Sequence, residues 1–470
     1  LRPGLDDIRR ELHVPEAFPE AVERHAEEAS SRTPHHPRRD ARDLPLVSID
    51  PPGSRDLDQA YHAERTPGGY RVHYAIADVA AFVSAGDPVD LEAWTRGLTL
   101  YMPDRRAPLY PAALSEQRAS LLPGADRPAL LWTIDLDERA EPVASKLERV
   151  LVRNRRAFTY AEAQAAIEAG SAEEPLMLLR EIGRLREERE RERGGISLTL
   201  PVRELTPVNG GYRFSFEAPL PVEGWNAQIS LLAGHCAAEI MIAGGVGLLR
   251  TLPPVEPERV ERLRRVAAAL GIEWPADASI GDVVRSQDGR TPASATFLTQ
   301  VTHALRGAAY EPVGSGPPKV HGGLAMTYAH VTAPLRRLAD RHTNEVVLAL
   351  CAAAPPPAWA LEALPLLPEA MAEADRRSDR IEGEVLNLAE AVVMAPKVGQ
   401  TFDATVIDRN REKATIQLTE PPVVAKIPVG NLGLGAEVHV RLIAAWPPSR
   451  RLTFELVERQ TEASHREANA

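Results

Sequence analysis

Three carboxylates fall within nine residues in the segment Asp50-Pro51-Pro52-Gly53-Ser54-Arg55-Asp56-Leu57-Asp58, which Gln59 follows directly. Two prolines and a glycine forbid a helix across it, so the chain must fold back as a loop. That loop is expected to bring the side chains of Asp50, Asp56 and Asp58 together around one point. Converging carboxylates repel one another unless a cation sits among them. Hard oxygen ligands suit magnesium, or manganese, whose shell is completed by water and substrate phosphate. Phosphate chemistry is the implied use, although such a loop by itself serves equally well as a cap or a structural calcium site.

The elements that must hold this loop are strands first and helices later. Residues 44–49, 61–63 and 70–77 read as short strands, the last two joined through Thr66-Pro67-Gly68-Gly69 as a hairpin. Ahead of them, residues 1–30 read as two short helices, with Leu5, Ile8 and Leu12, then Phe18 and Val22, at helical spacing around Pro15. A polar stretch, 30–42, reads as a linker, and its His35 and His36 as solvated loop residues rather than metal ligands. Helical spacing marks 160–169, 176–193, 229–249 and 255–270, so the body is expected to be α+β. The Glu- and Arg-rich residues 180–193 read as a solvated face with intrahelical ion pairs. Further helices are expected at 336–350 and 361–394, separated by Pro355-Pro356-Pro357. After Pro396, strands at 401–408, 413–418, 423–427, 437–442 and 452–456 suit a small five-stranded OB barrel, a common nucleic-acid-binding module. A plain small barrel fits the same pattern.

At 470 residues the chain exceeds one hydrophobic core, so two or three domains are expected. Its 44% hydrophobic and 26% charged residues are ordinary for soluble protein, and no uninterrupted apolar run approaches the roughly 18 residues of a membrane span. The opening residues lack the plan of a signal peptide. Cys236 and Cys351 alone rule out a disulfide framework or a four-cysteine zinc site, leave one bridge formally open, and fit a reducing cytoplasm. With 55 basic against 66 acidic residues the net charge is −11, so any nucleic-acid channel must be a local basic feature.

Beyond the loop, Val72-His73-Tyr74-Ala75-Ile76-Ala77-Asp78-Val79 is followed by Gly86-Asp87-Pro88-Val89-Asp90 and by Arg96-Gly97-Leu98-Thr99-Leu100-Tyr101-Met102-Pro103-Asp104-Arg105. Pro108, Pro111, Leu114-Ser115, Ser120-Leu121 and Asp126-Arg127 come next, and far downstream Tyr328-Ala329-His330-Val331-Thr332-Ala333-Pro334-Leu335-Arg336-Arg337, with Asp340 behind it. This ordered series resembles the catalytic (RNB) domain of the ribonuclease II and ribonuclease R family, including its Thr-Ser-Pro-Ile-Arg-Arg signature. The resemblance spans roughly residues 44–395. The terminal barrel is similar to the RNA-binding OB module of that family, and 14–26 to its helical connector. It implies a helical region at 1–43, a catalytic domain at 44–395, an RNA-binding barrel at 396–459 and a polar tail at 460–470.

What the resemblance implies for function is processive, magnesium-dependent 3′-to-5′ hydrolysis of single-stranded RNA to nucleoside 5′-monophosphates. A cytoplasmic monomer is expected, with neither a membrane nor an obligate protein partner. Asp50, Asp56 and Asp58 match the magnesium-binding and catalytic aspartates, with Asp58 matching the most critical. Arg336 matches the arginine that steadies the scissile phosphate, and Tyr101 the aromatic that stacks near the terminal nucleotide. Arg337, Glu382 and Glu239 are further RNA-binding candidates by the same likeness. Taken in isolation, Glu239 and Glu382 read more simply as surface helix carboxylates.

Three departures from the family pattern matter. Gln59 stands where a second adjacent aspartate is usual; its oxygen can coordinate but brings no charge. Ala238 replaces an acidic residue beside Glu239, which puts discrimination of ribose from deoxyribose in question. The family's cold-shock domains do not precede the catalytic region, so a more open channel mouth and less need for a long single-stranded tail are expected. The rival from another class is an RNA-binding regulatory protein of the same fold, its turnover weakened through Gln59.

Overall fold

The computed structural model describes residues 1–34, 38–196, 202–208, 211–217, 219–287, 291–314, 316–428, 430 and 432–457. His35, His36 and the polar tail lie outside the described residues. The chain opens with helices α1 (Arg2–Glu11) and α2 (Glu20–Ser31). Strands β1 (Arg39–Asp40), β2 (Val47–Asp50), β3 (Gln59–Thr66) and β4 (Gly69–Ala77) follow, then α3 (Pro88–Arg96) and a small hairpin, β5 (Leu100–Tyr101) with β6 (Arg106–Ala107). A π-helical turn, Leu114–Arg118, leads into the long strands β7 (Asp126–Leu136) and β8 (Pro142–Arg153), then β9 (Arg156–Thr159). Next come α4 (Tyr160–Glu168), α5 (Glu174–Glu192), the β10 (Val202–Val208) and β11 (Gly211–Glu217) hairpin, α6 (Pro221–Gly244) and β12 (Leu248–Thr251). Helices α7 (Pro257–Ala269), α8 (Ile280–Arg285) and α9 (Pro292–Ala304) precede β13 (Ala309–Pro312). Helices α10 (Leu338–Cys351), α11 (Ala358–Ala363) and α12 (Leu367–Met394) complete the body.

The central sheet has the order β1-β8-β7-β4-β3-β2-β9. Its middle strands are antiparallel, and β2 pairs with β9 in parallel from Val47↔Arg156 to Asp50↔Thr159. Strand β2 meets β3 only at Val47↔Tyr61. The two therefore diverge beyond that pair, and the segment between Asp50 and Gln59 stands clear of the sheet at one end. Burial along β4 and β7 places Tyr74, Ile76, Leu131 and Trp132 in one core with Ile229, Leu232, Ala233 and Ala237 of α6 and Val346 of α10. Tyr74 and Ser230 tie sheet to helix through a 2.6 Å hydroxyl contact. Gly234 lets the chain at Tyr328 pass against α6, since a Cβ there would lie 2.2 Å from the Tyr328 ring. By length and composition α6 is apolar enough to cross a membrane, yet it is the core helix on which the sheet rests.

The expected α+β body and its terminal barrel are both present. Strands β14 (Thr401–Arg409), β15 (Lys413–Leu418), β16 (Val424–Pro428), β17 (Glu437–Trp446) and β18 (Arg451–Val457) form a sheet in the order β16-β15-β14-β17-β18, with β16 packed back against β18. Phe402 and Phe454 meet edge to face inside it, and Ala389, Val393 and Met394 of α12 seal one end.

Several sequence expectations are corrected. The helix expected over 229–249 stops at Gly244, where Gly245 takes a left-handed cap at φ 68°, and residues 248–251 become a strand paired with β13. The helix expected over 361–394 is interrupted, because α11 ends at Ala363 and α12 starts at Leu367. The charged helix at 180–193 is not simply a solvated face: Arg186, 1% exposed, donates to the Ala140 carbonyl at 3.0 Å and to Glu141 at 2.9 Å, and buried Glu190 accepts from Gln228 at 2.7 Å. Both cysteines are free, so no bridge forms between them.

Candidate active site

Asp58 closes the acidic loop immediately before β3 and is 4% exposed. Its backbone is held on both sides: the Asp58 carbonyl accepts the Ala77 N–H at 2.8 Å, and Leu57 donates its N–H to Ser120 Oγ at 2.8 Å and accepts from Leu121 N–H at 2.9 Å. Its carboxylate accepts the Leu335 N–H through Oδ1 at 2.8 Å, and Oδ2 faces Arg336 Nε at 3.3 Å. One residue on, Gln59 Nε2 donates to the Thr332 carbonyl at 2.6 Å. The loop and the segment 332–336 are thus stitched together across more than 270 residues of chain.

The second segment is fixed from behind as well. Asp340, fully buried in the first turn of α10, accepts the Ala333 N–H at 2.8 Å and grips Arg337 at 2.5 and 2.8 Å. Asn344 donates to the Val331 carbonyl at 2.9 Å, while Thr99 N–H reaches the Arg336 carbonyl at 3.0 Å. These bonds hold 333–337 out of the helix, which explains why α10 begins at Leu338 instead of the expected residue 336. Of the two adjacent arginines, Arg336 keeps a side chain 49% exposed at the loop. Arg337 is instead bound to Asp340 and braces the turn that presents Arg336.

Burial and neighbouring charge tune the loop carboxylates. Burial pushes the Asp58 carboxyl up to about 7; Arg336 and the Leu335 N–H oppose the rise, and the charges of Asp340 and Asp56 add to it. Asp50 is pushed up to about 6, again by burial, against Arg336 and with Asp56. Among the described residues no hydrogen bond or ion pair reaches the Asp50 carboxylate. Asp56 accepts from Arg106, whose other nitrogen donates to Glu116 at 2.7 Å. Tyr101, 51% exposed, lies opposite Arg106 in the small hairpin, and partial enclosure with the charge of Asp56 raises its phenol. The hairpin rests on α1: Leu5 and Ile8 pack with Leu100 and Ala107, and Arg9 binds Asp104 at the turn.

Asp50, Asp56, Asp58, Arg336 and Tyr101 are therefore gathered within electrostatic reach of one another. The expected closure of three carboxylates around one point is not seen: among the described residues no group of three or more His, Cys, Asp or Glu side chains stands ready to hold a metal ion. The reason is visible in the contacts, since Asp56 is engaged by Arg106 and Asp58 by Leu335 and Arg336. The donor set nonetheless fits a hard divalent cation, because Asp50 is an enclosed carboxylate without a partner and all the nearby anions are oxygen donors. Gln59 has only Oε1 left to offer, its amide nitrogen being held by Thr332. Glu239 accepts from Thr327 Oγ1 at 2.6 Å on α6, and Glu382 from Ser378 at 3.2 Å on α12; both are exposed and neither contacts the loop.

Sequence reasoning missed Arg106, Glu116 and the bracing of the loop by Ser120. Arg106 follows the quoted run ending at Arg105, so its place beside Tyr101 was legible as a hairpin position. Its pairing with a residue fifty positions upstream was not.

The chain matches the RNB domain over residues 38–352 and the RNase II-type exonuclease C-terminal S1 domain over 400–457. It is 27% identical to ribonuclease R of Aquifex aeolicus over 97% of this chain and 70% of that relative. It spans 53% of the length of ribonuclease R of Escherichia coli and 33% of the exosome complex exonuclease dis3 of Schizosaccharomyces pombe. Its fold superimposes on Mycoplasma genitalium RNase R, solved with ribose-methylated single-stranded RNA, at a TM-score of 0.85 and 18% identity, covering 96% of this chain and 77% of that one. Yeast Ssd1, described as a pseudonuclease, shares the fold at a TM-score of 0.71 and 17% identity, covering 97% and 58%. With two thirds of its length in that domain and the S1 barrel behind it, the chain belongs to the RNB-domain family of RNase II-type exoribonucleases.

Proposed function

We propose that this chain is a working, magnesium-dependent exoribonuclease that removes nucleotides processively from the 3′ end of single-stranded RNA as 5′-monophosphates. The observation that carries the reading is the contact of Arg336 Nε with Asp58 Oδ2 at 3.3 Å, beside the unpartnered carboxylate of Asp50. It sets a half-exposed guanidinium next to an excess of buried negative charge. Arg336 can hold two non-bridging oxygens of the scissile phosphate at once. Tyr101 offers a ring face to the terminal base, which any of the four bases can use. Asp50, Asp56 and Asp58 would hold magnesium, or manganese in its place. That ion, when bound, activates water and offsets charge on the phosphate. Hydrolysis breaks the P–O3′ bond, leaves a 3′-hydroxyl on the shortened RNA and puts the water oxygen on the released nucleotide.

The rival reading is an RNA-binding protein that keeps the channel without turnover, and the engagement of Asp56 by Arg106 favours it. Against it stands Asp50: a protein without turnover has no use for an enclosed carboxylate that, among the described residues, no hydrogen bond or ion pair satisfies. The two free cysteines support a reducing compartment, and we assign the work to the cytoplasm, with the chain acting as a monomer. The test is 5′-labelled RNA incubated with the protein and magnesium, with and without chelator, and the products sized. Labelled RNA shortening from its 3′ end with release of monophosphates, stopped by chelator, is expected. Intact RNA under conditions where it is bound would establish the binding protein instead.

A further inference from the structure

Two cations already answer two of the three loop carboxylates. Arg336 faces Asp58, and Arg106 donates to Asp56 while keeping its second nitrogen on Glu116 at 2.7 Å. Arg106 has little freedom to leave: its backbone pairs with Tyr101 across the small hairpin, and that hairpin is packed on α1. Glu116 sits on the π-helical turn, where Arg55 also approaches it at 3.8 Å.

We propose that Arg106 is a positioning residue that occupies Asp56 as an internal counter-cation and competes with the divalent ion for it. Glu116 is the partner that keeps the guanidinium when Asp56 is released. The inference rests on the metal reading above. An Asp56 oxygen that accepts a guanidinium N–H has that lone pair engaged, and a divalent ion beside the guanidinium meets like charge. Magnesium adds a demand for near-ideal octahedral geometry, which a carboxylate held from the side does not meet freely. Glu116 makes the exchange feasible. Arg106 is three-quarters buried, and a buried charge stripped of its only partner is strongly unfavourable. With Glu116 in place, Asp56 can let go without leaving the guanidinium unpaired. In the metal-free site the guanidinium thereby offsets the repulsion that three neighbouring aspartates would otherwise suffer.

The test is direct titration of the full chain with Mn²⁺ alone, without RNA, reading free ion by its paramagnetic resonance signal. Arg106→Gln removes the competitor and is expected to tighten Mn²⁺ binding about tenfold. Glu116→Gln leaves the guanidinium wholly on Asp56 and is expected to weaken binding about threefold. Asp58→Asn serves as the site control and is expected to lose saturable binding. If Asp58→Asn removes binding while Arg106→Gln leaves it unchanged or weaker, the competition is overturned and the metal reading stands. If Asp58→Asn binds as the unaltered chain does, the metal reading itself falls, and the competition with it. Should thermal unfolding show that Arg106→Gln is not folded, Arg106→Lys replaces it, since lysine lacks the planar fork by which separate nitrogens reach Asp56 and Glu116 and so holds Asp56 less firmly. Tightening of a few-fold is then expected, and unchanged affinity overturns the proposal.

Discussion

Helix α10 anchors two buried ionic clusters that resemble each other in their titration and differ in their charge inventory. At its N-terminal end lie Asp58, Arg336, Arg337 and Asp340; midway along, Glu345 meets Arg149 of β8, which also contacts Asp78 at 3.3 Å, and Asp78 binds Arg38 at 2.6 Å. Burial pushes Glu345 up to about 7, as it does Asp58. A raised carboxyl therefore does not distinguish the site from the scaffold. What distinguishes it is balance. In the second cluster two carboxylates face two guanidiniums, and every acid has a partner. In the first, Asp340 takes Arg337, which leaves the three loop aspartates with Arg336 and an Arg106 that Glu116 also claims, and Asp50 has no hydrogen-bond or ion-pair partner among the described residues. Excess, enclosed negative charge beside an exposed guanidinium is a place for a cation and a phosphate; matched charge is a place for a fold.

The largest effect expected from breaking the first cluster is that of Asp58→Asn, which should lower turnover by roughly 10³-fold or more while leaving RNA affinity largely intact. Because burial already disfavours the charged form of Asp58, the amide should not lower stability, so the thermal midpoint should hold or rise. Equal rates in the variant and the unaltered chain would end the assignment. Arg336→Ala should cost about 10²-fold in kcat with a smaller change in KM, since the group acts on charge that builds up in the transition state. A loss confined to KM would make Arg336 a tether instead.

The second cluster should respond in stability and not in turnover. Folded Glu345 holds a proton up to about pH 7 that the unfolded chain releases near its ordinary value of 4.5. The folded state thus binds more protons between those limits, and stability falls as pH rises through that window. Glu345→Gln should remove up to ~3 kcal/mol of that decline, read as a flatter dependence of the denaturation midpoint between pH 5 and 7, with unchanged kcat. A change in kcat with no change in the pH slope would erase the distinction between the clusters.

How much of this was legible in the sequence follows from the range of the forces involved. The loop, its flanking strands and the terminal barrel are written in local signals: Pro51, Pro52 and Gly53 stop a helix, and Thr66-Pro67-Gly68-Gly69 turns β3 into β4. Asp50, Asp56, Asp58, Arg336 and Tyr101 were named from their motifs, and the fold gathers them. The assignments that moved depend on partners distant in the chain. The sequence names Arg337 as an RNA-binding candidate but not its ion pair with Asp340, and Arg186 reads as solvated until the β7–β8 turn, with its Ala140 carbonyl, closes over it. Set against the family pattern, Gln59 looks like a weakened ligand. Only the fold shows its nitrogen on the Thr332 carbonyl, where it helps hold the segment that presents Arg336.

The smallest expected effect sharpens the comparison from the substrate side. Tyr101 belongs to the unbalanced cluster by position, opposite Arg106 and near Asp56, yet it carries no charge that the site needs. Its half-exposed ring should contribute through stacking alone, which is worth about 1–3 kcal/mol per base. Tyr101→Ala should therefore weaken binding of a short single-stranded RNA about tenfold, measured in chelator so that turnover does not intervene. Tyr101→Phe, which keeps the ring face and loses the hydroxyl, should bind within about twofold of the unaltered chain. If the phenylalanine variant were as weak as the alanine one, the hydroxyl would be the contact, and Tyr101 would join the polar inventory of the site rather than its stacking floor. The hairpin offers a matched control: Arg9→Ala leaves the ring in place but removes the tie from α1 to Asp104, and a loss smaller than that of Tyr101→Ala is expected if the ring itself makes the contact.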